Sequence, residues 1–69
     1  MQEDSLQYVA HLKRNIQIGD ELVLRARVLI DRASAADKPE WERELERREW
    51  QVKLFREMLQ IAEEDIANH

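Results

Sequence analysis

From Val9 to Ala33, apolar or small residues recur at steps of three and four: Val9, Leu12, Ile16, Gly19, Val23, Ala26, Ile30 and Ala33. That spacing keeps them on one side of an α-helix. The same stretch carries a second pattern. Ile16, Ile18, Leu22, Leu24, Ala26, Val28 and Ile30 alternate as a strand would, with Gly19-Asp20 placed where a hairpin turns. The strand reading leaves Val23 and Leu29 on its polar face, and an isolated two-stranded ribbon is marginal in water. The helix needs only one concession, Gly19, which costs about 1 kcal/mol relative to Ala. Helix is therefore the expectation for residues 15–30, and a short β-hairpin is the alternative.

The second half is less ambiguous. Trp41, Leu45, Val52, Phe55, Leu59, Ala62 and Ile66 trace one helical stripe, with a single polar slot at Arg48. Between the two stripes lies Ser34-Ala35-Ala36-Asp37-Lys38-Pro39, where the pattern breaks. Pro39 belongs in a loop or a first helical turn, because further inside it removes a hydrogen bond and clashes. Asp37 and Glu40 have capping-box spacing, and Ser34 with Asp37 is a looser version. Asp4 or Ser5 is the expected cap of the first helix.

The predicted fold is all-α: one domain over residues 1–69, an antiparallel hairpin of two long helices that assembles into a helical bundle. The helices are expected over about 5–33 and about 39–67, with the turn at about 34–38. Each arm would be roughly 42–45 Å long at 1.5 Å per residue. Large side chains of the second arm such as Phe55, Leu59 and Trp41 can pack over the small positions Gly19, Ala26 and Ala33, in a register the sequence does not specify.

Two helices need one apolar stripe apiece, and each of these has more. Trp50, Leu54 and Ile61 fall almost opposite the Val52 stripe, with Met58 at its margin. Leu22, Leu29 and Ile18 widen the stripe of the first arm, and Leu6, Leu24 and Val28 lie outside it. Apolar patches of that size mark interaction surfaces. The expected interface is Trp50, Leu54, Met58 and Ile61, with Leu24 and Val28 on the first arm. Its expected partner is a second copy, as a dimer or larger bundle, another helical protein, or both.

Length sharpens that expectation. A chain of 69 residues without cysteine is near the size at which one core stops sufficing, and no disulfide or thiolate metal site compensates. The charge, −4 overall, disfavours generic binding to nucleic acid or anionic membrane. Within it, Arg25 and Arg32 on the first arm and Arg47 and Arg48 on the second are candidate anion contacts if a bundle gathers them. Arg48 stands out because it interrupts an apolar seam, where it either snorkels from the core edge or pairs across an interface with a carboxylate. Glu44–Arg48 and Glu49–Lys53 have the spacing of helical ion pairs.

No catalytic, metal or cofactor site is read from the sequence. His11 and His69 are the only histidines and lack metal-ligand spacing. Ser5 and Ser34 sit in capping contexts, and one glycine cannot build a phosphate loop. The acidic N-terminal stretch lacks the features of a signal peptide, and no run approaches a membrane span, so a cytoplasmic location is expected.

Lys38-Pro39-Glu40-Trp41 at the second helix, followed by the apolar seam from Leu54 to Ile66, resembles the YscE-type co-chaperones of bacterial type III secretion. That resemblance spans most of the chain. It implies a helical hairpin that, with a larger helical-repeat protein, holds a needle subunit before export. The chain is also similar in architecture to the Rop-type RNA-binding hairpin, a dimeric four-helix bundle, without a matching set of RNA contacts.

Overall fold

The structure, a computed structural model, describes residues 2–68. Among them two helices form, α1 over Gln2–Arg32 and α2 over Lys38–Ala67, and they pack against each other as a hairpin. Residues 15–30 lie wholly inside α1, so the three-four pattern prevails over the alternating one. The reason is packing: Ile16, Val23 and Ala26 are buried by α2, whereas Ile18, Leu24 and Val28 are exposed.

Helix α1 is already helical at Gln2, so Asp4 and Ser5 lie inside its first turns rather than at its start. The entry to α2 also departs from the simplest reading. Asp37 occupies the N-cap position but makes no side-chain cap to the backbone. Ser34 does that work instead. Its Oγ accepts the Asp37 N–H at 3.3 Å and donates to Asp37 Oδ2 at 3.1 Å. The Ser34 carbonyl accepts from the N–H groups of Asp37 and Lys38, both at 3.0 Å. The looser spacing of the two is thus the one that forms, and it closes the connection one turn before Pro39, which sits in the first turn of α2.

The interior is thin. Val9, Leu12, Ile16, Val23, Ala26 and Val52 are buried, with Leu45, Phe55 and Leu59 packed partly against them. Gly19 has an ordinary helical φ, so its value is space rather than conformational freedom. That space is filled by Val52, not by the larger Phe55, Leu59 or Trp41. Among the described residues, ion pairs tie the arms together at the surface: Arg56 to Asp20 at 2.8 Å and Arg27 to Glu49 at 3.6 Å. Glu49 therefore reaches across the hairpin, rather than along α2 to Lys53.

Candidate partner-binding surface

A helix turns about 100° per residue, so residues four and seven apart share a face while those five or six apart do not. On α2 this places Val52, Leu45, Phe55 and Leu59 toward α1, and Trp50, Leu54 and Ile61 on the outer side. Trp50 is 64% exposed and Ile61 67%, values that belong to solvated polar residues rather than to a tryptophan and an isoleucine. Leu54 is also exposed, and Met58 is half-buried at the edge of this strip.

Met58 and Ile61 also face a groove between the two arms, at the open end of the hairpin. Ser5 and Tyr8 from α1 and Ala62, Asp65 and Ile66 from α2 complete its walls. Toward the turn, a second groove of about 540 Å³ is lined by Leu22, Ala26 and Leu29 of α1 and by Trp41 of α2. Both grooves lie on the flank that Tyr8, Leu22 and Leu29 widen on α1. The sequence broadens the first-arm stripe with Leu22, Leu29 and Ile18 but not with Tyr8, and it does not indicate grooves at both ends.

Leu24 and Val28 do not join this surface. They are exposed on α1, but their helical positions turn them away from the grooved flank and from the outer strip of α2. The six residues expected to share an interface thus divide into Trp50, Leu54, Met58 and Ile61 on one side and Leu24 and Val28 on another.

The four arginines considered as anion contacts divide too. Arg25 and Arg48 line the groove near the turn, but so do Asp37, Glu40 and Glu44. Glu44 Oε1 accepts from Arg48 Nε at 2.9 Å and from Arg47 Nη2 at 3.0 Å. Arg48 therefore meets a carboxylate of its own helix one turn back, as its spacing foretold, and carries half-buried charge along the seam edge. The Arg47 hydrogen bond, with the positive charges of Arg47 and Arg48, holds the Glu44 carboxyl below its ordinary value of 4.5. Arg32 stands in the last turn of α1, exposed. With Glu44 paired to Arg47 and Arg48, and Asp37 and Glu40 lining the same groove as Arg25, the groove presents mixed charge rather than a cationic pocket.

His11 is exposed on α1, and His69 lies outside the described residues. Among the described residues no group of three or more His, Asp or Glu is placed to hold a metal ion, and no helix is long and apolar enough to cross a membrane. Compared with protein-family models, curated proteins and solved structures, the chain matches none of them.

Proposed function

We propose that this protein is a non-enzymatic interaction module, a small adaptor, co-chaperone or regulator working in the cytoplasm, whose outer α2 strip docks on a helical partner. One observation carries the reading. Among the described residues nine large apolar side chains are exposed, more than the six apolar residues that form the buried core. Leaving them wet forgoes about 25 cal/mol per Å² of apolar area that a partner would recover. Trp50, Leu54 and Ile61 supply anchors at the four- and seven-residue spacing by which an amphipathic helix fills a groove. The resemblance at Lys38–Trp41 adds a more specific form of the proposal, a subunit that holds a secretion substrate together with a helical-repeat protein.

Affinity capture with the full chain and with Trp50→Glu tests it. The expected result is a stoichiometric protein partner that stays bound at high salt and is lost from the variant. Apolar docking depends weakly on salt, whereas binding to phosphates weakens steeply. A partner held equally by Trp50→Glu, or one released by salt alone, would overturn the proposal.

A further inference from the structure

The outer strip of α2 is apolar over only part of its length. Seven residues on from Trp50 stands Glu57, and seven further on stands Glu64, while Leu54 and Ile61 are themselves seven apart. Seven residues fall just short of two helical turns, so these side chains form two adjoining lines on one face. One line is Leu54 and Ile61. The other opens with Trp50 and continues in carboxylates. Beside Ile61, the groove walled by Tyr8, Met58 and Ile66 widens the apolar surface at the same end.

Glu57 and Glu64 are both exposed, and among the described residues neither is held by a cation. Lys53, one turn before Glu57, makes no ion pair with it. Glu64 Oε1 accepts from a neutral donor, Gln60 Nε2, at 3.3 Å. Elsewhere on the hairpin the surface neutralises itself, with Asp20, Glu44 and Glu49 each meeting an arginine. Residues 1–12 and 57–69, by contrast, contain Glu3, Asp4, Glu57, Glu63, Glu64 and Asp65 and neither lysine nor arginine.

These positions restrict what can cover the strip. A wholly apolar helix would bury two carboxylates without a counter-charge, which is strongly unfavourable. Nucleic acid and anionic bilayers are repelled. A second copy brings only Arg43 and Arg47 on the same two lines. Each is already bonded within its own helix, Arg43 to the Pro39 carbonyl and Arg47 to Glu44.

We infer, taking this strip as the docking surface proposed above, that its occupant is a cationic amphipathic helix of another protein. Large apolar residues of that helix face Trp50, Leu54 and Ile61, and two of its Lys or Arg residues, seven apart, face Glu57 and Glu64. The seven-residue step matches because the two glutamates lie about 10.5 Å apart along α2. Apolar contact supplies the affinity, while the charges select the partner.

The test uses two synthetic amphipathic helical peptides with the same leucine face, labelled for fluorescence anisotropy and titrated with the full chain. One carries lysine at two positions seven apart beside that face, and the other carries glutamate there. The lysine peptide should bind about tenfold more tightly. Glu57→Lys with Glu64→Lys should reverse the preference, whereas the same charge change off the strip, Glu42→Lys with Glu63→Lys, should not. Equal binding of the two peptides, no saturable binding of the lysine peptide, or reversal by the off-strip variant would overturn the inference. So would a protein that is already twice its 8.3 kDa chain mass and returns to the chain mass with Trp50→Glu, because a second copy then covers the strip. The two proposals fail differently. Equal binding that is lost with Trp50→Glu sinks the charge selection and leaves the docking strip, while lysine-peptide binding undiminished by Trp50→Glu sinks both.

Discussion

Gly19 and Val52 meet across the hairpin so closely that a β-carbon on Gly19 would lie 2.5 Å from Val52 Cγ2. The contact sets how near the two helices approach at mid-length. Val52 has a short, β-branched side chain whose rotamer is fixed in a helix, so it cannot swing aside. Gly19→Ala therefore trades a gain of about 1 kcal/mol in helix propensity against an overpacking cost of about 1–3 kcal/mol. Net destabilisation of about 1 kcal/mol is expected, visible as a fall in Tm of about 4–8 °C in a domain this small. Adding Val52→Ala should make the glycine substitution neutral or favourable, and a double-mutant cycle by thermal denaturation would reveal the coupling. Simple additivity of the two changes would show that the close approach does not limit the packing.

Leu12 and the Asp20–Arg56 pair represent the two ways the arms are joined, and their weights differ. Leu12 is the most buried side chain, 2% exposed, whereas both members of the ion pair are about half exposed. Leu12→Ala should cost about 2–5 kcal/mol, which matches or exceeds the whole stability that a core of this size supplies. Asp20→Asn should cost less than about 1 kcal/mol, and salt should erase the difference. Far-UV circular dichroism during denaturation separates them: loss of the folded baseline for Leu12→Ala, a small salt-sensitive shift for Asp20→Asn.

At the connection, Ser34 rather than Asp37 carries the cap. Ser34→Ala removes the Oγ that accepts the Asp37 N–H at 3.3 Å but leaves the Ser34 carbonyl at 3.0 Å, so it should destabilise the hairpin by about 0.5 kcal/mol, the low end of the range for N-cap losses. Asp37→Ala, whose side chain makes no backbone cap, should cost less. Chemical denaturation midpoints of the two variants decide the order, and the reverse order would restore Asp37 as the working cap.

Both helices and the turn were legible because periodicity and Pro39 act locally: each stripe is written in residues three and four apart. The partner of Gly19 was not legible. It depends on the axial offset of the two helices, which Val52 and the turn at Ser34 fix jointly and no single stripe encodes. Glu49 shows the same limit, since its spacing to Lys53 is visible in the sequence while its distance to Arg27 exists only after packing. The exposed strip Trp50–Leu54–Ile61 could be read directly, because it is periodic too. Its separation from Leu24 and Val28 required knowing which way α1 turns its buried face. The grooved flank needed both helices at once, as did the carboxylates that share the groove with Arg25 and Arg48.

Glu44 bears on the pH response of the turn end. Its carboxyl accepts from both Arg47 and Arg48, with the Arg47 hydrogen bond the larger influence, and its pKa is lowered from 4.5. A carboxylate whose pKa is lower folded than unfolded binds protons less readily in the folded state. Its contribution is fully present above the unfolded value of 4.5 and is lost as pH falls through the lower folded value. Stability from this site should thus be flat from neutral pH down to about 4.5, decline as pH falls below that, and be gone once pH is below the lower folded value. Carboxyl titration by NMR should place Glu44 below the other glutamates, and Arg47→Ala should return it toward 4.5 further than Arg48→Ala does. An unshifted Glu44, or a larger response to Arg48→Ala, would mean that the Arg47 contact does not persist in solution.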